Sequence, residues 1–239
     1  MTQTTVLDLP EILPILPNPD EIVYPYSIVP MTITKPAIAE LVDDAVHTNK
    51  MICVVGLKNR MDSSTRKENL FRTGTVTGID RLYRFPGNII RLHLRGLVRF
   101  RILEFIETDK PYIMARVEKL ESVFPLDDVE LDAWQNTVRI QLKQIFELTR
   151  SIPDDSLFME FSGDAEKLSF LAASRIDTGV KEKQRILEVD NVLERLWLLS
   201  GILEKEIRIL KLRNKIQGQV RTEIEKDQKE YILKEQMKA

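Results

Sequence analysis

Residues 190–239 read DNVLERLWLLSGILEKEIRILKLRNKIQGQVRTEIEKDQKEYILKEQMKA. Val192, Leu196, Leu199, Leu203, Ile207 and Leu210 recur at steps of three and four, which places them on one stripe of a helix. No proline interrupts the run, so it predicts a single extended helix. Up to Leu212 the stretch is rich enough in Leu and Ile to pack against a domain. From Arg213 onward only Ile216, Val220, Ile224, Tyr231, Ile232, Leu233 and Met237 remain apolar. A helix with so thin a stripe is marginal alone in water. It reads as built to leave one body and reach another, or to pair with copies of itself. The final Gln236-Met237-Lys238-Ala239 carries neither a glycine cap nor a proline stop. This predicts the front part of a longer protein.

Composition sets the frame around that helix. A chain of 239 residues suits one or two domains. Hydrophobic residues at 43% and charged residues at 30% are ordinary for a globular chain with a long charged helix. The net charge of −2 provides no global field for nucleic acid or anionic lipid. The single cysteine, Cys53, excludes an internal disulfide and fits a reducing compartment. No basic-then-apolar leader is seen at the N-terminus, and no apolar stretch approaches the ~20 residues that span a bilayer. The cytoplasm is the expected location, without a membrane partner.

Residues 9–120 are β-rich. Residues 12–17 form a short apolar segment punctuated by Pro14 and Pro17, which predicts an edge strand or a strand end. Residues 28–33 predict another strand. Pro36 opens a helix whose buried face is Ile38, Leu41, Val42, Ala45 and Val46. Residues 51–57 predict a strand buried on both faces, and residues 58–69 a polar mobile loop. Residues 71–79 resume as a strand. Residues 83–85 lead to the turn Pro86-Gly87-Asn88. Two alternating strands follow, at 90–95 and 98–102, with Gly96 between them. A last strand covers 112–120. Together these suggest a compact, mostly antiparallel, barrel-like lobe. At Phe124 the period switches. Val138, Leu142, Ile145, Phe146 and Thr149 share a helical face, residues 152–155 form a turn, and residues 164–174 and 181–189 are shorter helices, giving an α-helical lobe. The fold class is α+β, divided as 1–122, 123–189 and 190–239.

Motifs for chemistry are absent from the sequence. There is neither a G-x-x-x-x-G-K-[ST] phosphate loop nor a G-x-S-x-G elbow. His47 and His93 lack partners at zinc-ligand spacing, and Cys53 in its apolar strand reads as an inert thiol. Neighbouring acids such as Asp43-Asp44 read as turn or helix-start carboxylates. No catalytic residue and no metal site is expected. The arginines 81, 84, 91, 95, 99 and 101, with Tyr83 and Phe85, have the makings of an RNA platform. In a net acidic chain without an RNA-binding signature, the solvated face of a sheet is the simpler reading. Tyr24-Pro25-Tyr26 and Phe85-Pro86 place aromatics beside proline-bounded turns. Partly exposed there, they would form a patch that captures unfolded chains; the alternative is local packing of the barrel rim. Tyr24, Tyr26, Tyr83, Phe85 and Pro86 are therefore the candidate substrate contacts. Gly218, inside the long helix, is the candidate hinge.

Leu13-Pro14-Ile15-Leu16-Pro17, Ile22-Val23-Tyr24-Pro25 and Val29-Pro30-Met31 resemble the opening of the N-terminal domain of Lon, the ATP-dependent AAA+ serine protease. Residues 52–58, 70–76 and 95–100 resemble its following strands, residues 164–168 and 181–188 its helices, and residues 229–239 the helix entering its ATPase module. The resemblance covers essentially the whole chain. Tyr26 departs from it, standing where the family often has glycine or histidine, as do Pro36 and the pair Asn18-Pro19. The resemblance implies a PUA-like pseudo-barrel, a helical bundle and a long helix feeding a hexameric ring. It implies recognition and gating of unfolded or damaged polypeptides, with ATP, magnesium and a serine–lysine dyad in later parts of the parent. The alternative is a stand-alone adaptor or receptor module of the same fold.

Overall fold

The computed structural model describes residues 9–59, 67–126, 128–149 and 164–236. The described strands are β1 (Ile12–Asn18), β2 (Ile28–Ile33), β3 (Met51–Gly56), β4 (Thr73–Phe85), β5 (Ile89–Ile106) and β6 (Ile113–Leu120). The described α-helices are α1 (Pro36–His47), α2 (Asp128–Thr149), α3 (Ala165–Ser174), α4 (Val180–Glu188) and α5 (Val192–Gln236). The chain is thus α+β. Residues 60–66 of the expected loop and the expected turn at 152–155 lie outside the described residues. The loop's end, Lys67–Asn69, is a 3-10 turn.

The strands follow the order β2-β5-β4-β3-β1-β6, and β6 pairs again with β5. Five strands therefore close a ring, with β2 appended outside it. The length of β5 makes this possible. Its first half, residues 90–95, pairs with β2. Its second half, residues 99–106, pairs with β6. β4 lies along its other edge. All pairings are antiparallel except β1 with β3.

Two sequence expectations fail here, for identifiable reasons. β1 is not an edge strand, because it lies between β3 and β6. Its two prolines are tolerated because the partners overlap only at Ile15. Residues 12–15 pair with β6 and residues 15–18 with β3. Pro14 and Pro17 each lie where β1 has one neighbour, so a missing donor can face the unpaired side. Gly96, expected to separate two strands, lies inside one continuous β5. It is needed for a close approach. A Cβ there would stand 2.0 Å from the carbonyl oxygen of Tyr24.

Three cores result. Leu41, Val42 and Ala45 of α1 join Ile52, Val54, Ile90, Leu92 and Leu94 against one side of the sheet. Leu13, Ile15, Val76, Phe100 and Val117 fill the ring's other half. Val138, Leu142, Leu168, Phe170, Leu196, Leu199 and Leu203 form the core among the helices, which also takes in Ile22 and Tyr24. Side-chain caps fix the starts of α3 and α5. Asp164 accepts from Lys167 N at 2.8 Å, and Asn191 accepts from Leu193 N at 2.9 Å.

Helices and ring are joined by hydrogen bonds as well as by apolar contact. Val123 N donates to Asp190 O, and Val192 N to Val123 O, both at 2.9 Å. Gln184 Nε2 reaches Thr73 O at 2.9 Å. α2 and α5 run side by side in the same direction. Gln141 Nε2 donates to Ser200 O, and farther along Asn214 Nδ2 donates to Leu148 O. From Asn214 the helix continues to Gln236, roughly 33 Å at 1.5 Å per residue.

Candidate functional site

The outer face of β2, β5 and the far half of β4 gathers aromatic, aliphatic and basic side chains. Alternation explains why. Val29, Met31, Leu92, Leu94 and Leu82 point into the core with α1, so their neighbours face outward. Register then sets the rows. Pro30 lies opposite His93, and His93 opposite Arg81. Thr32 lies opposite Arg91, and Arg91 opposite Tyr83. Ile28, at the far end, lies opposite Arg95.

Tyr83, Phe85 and Ile28 are 47%, 44% and 53% exposed, unusually open for side chains of this size. The Tyr83 and His93 rings meet edge to face with centroids 6.2 Å apart. The Arg91 guanidinium lies 5.0 Å from the centre of the Phe85 ring, a cation–π distance. Arg95 pairs with Asp80 at 3.0 Å, and Arg84 pairs with Asp43 of α1. The hairpin turns at Gly87 and Asn88, whose φ values of 83° and 59° suit these residue types. Beside the tip, a 370 Å³ cavity is lined by Glu40, Asp43, Arg84, Phe85, Asn88 and Ile90. A larger cavity of 600 Å³ lies elsewhere, along Leu16, Val29, Met31, Ile33, Ile38 and Leu57.

The five nominated contacts separate. Tyr83, Phe85 and Pro86 stand together at the hairpin tip. Tyr26 lies at the other end of β2, about 20 Å away at strand spacing. It occupies the third position of a turn, with φ 65°, a conformation that normally calls for glycine. Its amide donates to Gly96 O at 2.9 Å, and its hydroxyl donates to Glu166 at 3.1 Å. Burial, then the Glu166 carboxylate, raise the Tyr26 hydroxyl well above the ordinary phenol range, which keeps it a neutral donor. Tyr24 is a correction. It is fully buried, donates to Lys183 O at 2.8 Å, and packs its ring on Phe170. An aromatic beside a proline turn was expected to stay exposed, but the turn folds over Gly96 and carries Tyr24 into the helical core. It cannot touch substrate directly.

Arg99 stays on the face opposite Phe100 and Ile102, but that face is covered by residues 187–190 instead of water. It is 1% exposed and donates to Leu187 O, Val189 O, Asp190 Oδ1 and Glu121 O. Sequence reading missed Ile28 as a site residue. Its alternation with Val29 and Met31 held the signal, because those two pack inward. It also missed Val123, Phe124 and Leu126, exposed after β6, and Trp197, exposed on α5.

Among the described residues, no group of three His, Cys, Asp or Glu is placed to hold a metal ion, and no helix is long and apolar enough to cross a membrane. The Cys53 thiol is buried and pushed up by that burial, away from the thiolate form. The geometry is a sheet face that presents aromatics and arginines. Residues 12–205 match the family model of the ATP-dependent protease La (LON) substrate-binding domain, and the chain belongs to that family. It is 37% identical over 233 residues to the Lon protease of Dictyoglomus thermophilum, covering 97% of this chain and 29% of that protein. It is 34% identical to the Lon protease of Trichlorobacter lovleyi, covering 98% and 29%. The chain thus spans under a third of the length of these curated relatives. The fold is similar to the N-terminal domain of Mycobacterium avium complex Lon protease, with TM-score 0.65 and 18% identity, covering 81% of this chain and 98% of that one. A Lon N-terminal domain protein from Xanthomonas campestris matches with TM-score 0.55 and 16% identity, covering 80% and 97%.

Proposed function

We propose that this chain holds stretches of unfolded or damaged polypeptide for a cytoplasmic, ring-forming, ATP-dependent serine protease of which it is the recognition part. The carrying observation is the exposed set Tyr83, Phe85 and Ile28 on one rigid sheet face. Aromatics held by a sheet offer contact area at low entropic cost. Weak contacts suffice, because tethering to a ring raises the local substrate concentration. ATP, magnesium and peptide-bond chemistry belong to other parts of the parent. The partners are protein chains rather than membrane or nucleic acid.

Crosslinking this chain to native and unfolded forms of one protein tests the reading. Only the unfolded form should be labelled, and equal labelling removes the proposal. Tyr83→Ala with Phe85→Ala should weaken binding of the unfolded form about tenfold without loss of stability, since both side chains are open to solvent.

The working units in this proposal are the pseudo-barrel (1–122), the helical bundle (123–189) and the long helix (190–239). Ile209, Leu212, Ile216, Val220 and Ile224 of α5 are each about half exposed. At 100° per residue they fall within one face about 120° wide, which suits pairing with a neighbouring helix in a hexamer. Gly218 lies in that stretch, and an added Cβ there meets open space. We place the bend between reading head and ring at this residue. Gly218→Ala should stabilise the helix locally by ~1 kcal/mol and slow amide exchange on either side. Unchanged exchange there would count against the bend.

A further inference from the structure

We propose that the β2–β5–β4 face selects extended segments in which an acidic side chain sits within two residues of an aromatic or aliphatic one. This deepens the recognition reading and rests on it. Charge complementarity favours such segments. The face carries Arg81, Arg91 and Arg95 across two adjacent strands, and Asp80 is already engaged by Arg95. Arg81 and Arg91 have no carboxylate within ion-pair distance among the described residues, although both are exposed. This local surplus runs against a chain whose net charge is −2, so general basicity does not explain it.

The unpaired cations are interleaved with apolar groups. Arg91 lies opposite Tyr83 in the sheet and over the ring of Phe85. The guanidinium lies 5.0 Å from that ring's centre and keeps N–H groups for a carboxylate, which arginine can grip with two of them. Directly opposite residues have Cβ atoms about 5 Å apart, so an apolar and an acidic side chain close together in an extended peptide reach both. A nucleic acid fits less well. Its phosphates repeat without interruption, whereas Ile28 and Pro30 flank the arginines on β2, and Glu40 with Asp43 lines the cavity beside Phe85.

The test uses the whole chain and three labelled, unstructured peptides of one aromatic-containing sequence, bearing Glu, Gln or Lys at the same positions. Fluorescence anisotropy at low salt should show the Glu peptide binding about fivefold tighter than the Gln peptide, the size of two exposed ion pairs. High salt should erase the difference. R81Q with R91Q should equalise the two peptides. R81E with R91E should turn the preference toward the Lys peptide, a gain that mere unfolding cannot produce. Equal affinities in the unchanged protein, or a Glu preference surviving in R81Q/R91Q, overturn the inference while leaving the recognition reading intact. Displacement of the Glu peptide by a single-stranded oligonucleotide that binds more tightly assigns the face to nucleic acid and overturns it too. Binding of none of the peptides overturns inference and reading together.

Discussion

Arg195→Ala will lower the stability of this protein by ~3–5 kcal/mol, the range for removing one member of a buried charged network. Arg195 is fully buried. Its Nε and Nη2 donate to Val189 O at 3.0 and 2.7 Å. Nη2 also reaches Ser122 Oγ at 3.0 Å and Asp190 O at 3.3 Å, and Nη1 reaches Ser169 Oγ at 3.3 Å. Its guanidinium carbon lies 4.1 Å from the centre of the Phe170 ring, and that of Arg99 lies 5.8 Å from the same centre. The two arginines thus grip the segment between α4 and α5 and fasten it to the end of β6. Burial, and then the nearby Arg99, push Arg195 down to about 9, so it remains charged at neutral pH. Alanine would leave Val189 O without this donor inside the protein. Lysine should rescue little, because a single ammonium cannot serve acceptors arranged for a fork. Denaturant melts of the three proteins give the comparison. A loss under ~1 kcal/mol for Arg195→Ala would show that this side chain is not what fastens the helices to the ring.

Gly96→Ala should cost ~2–4 kcal/mol, more than any substitution on the exposed face. The added methyl would stand 2.0 Å from Tyr24 O, 2.9 Å from Tyr24 C and 3.1 Å from Pro25 Cα. These are backbone atoms, which cannot rotate away. The same place holds the hydrogen bonds from Tyr26 N to Gly96 O and from Gly96 N to Ser27 O, at 2.9 and 2.8 Å. Relief of the clash therefore breaks the contact that carries Tyr24 into the helical core. Denaturation midpoints measure the cost, and amide exchange at residues 26 and 96 locates it. Wild-type exchange at both positions in the variant would place the glycine's role elsewhere.

The parts of the fold legible in the sequence are those set by neighbours close along the chain. Pro36 and the spacing of Leu41, Val42 and Ala45 marked α1, and the unbroken run at 51–57 marked the doubly buried β3. Four of the five nominated contacts are exposed for a similar reason, since strand alternation and the hairpin turn are local. Arg99 escapes sequence reading because Leu187, Val189 and Asp190, which bury it, lie 88 to 91 residues away. Alternation cannot reveal that a helix connection covers the second face of a strand. Tyr24 was misread likewise, its hydroxyl partner being 159 residues distant. The prolines of β1 misled because an edge and a handover between two partners place the same demand on a strand. Only the pairing of β6 with both β1 and β5 distinguishes them.

That pairing also sets an order of events on the ribosome. Ile12 to Ile15 lie beside residues 113–116, so β1 cannot find its β6 neighbour until about a hundred more residues have emerged. At roughly 5–20 residues per second, this leaves the apolar β1 waiting for about 5–20 s with one flank bare. Binding by a nascent-chain chaperone would be most useful to this protein in that interval, and shielding β1 is the service it would need.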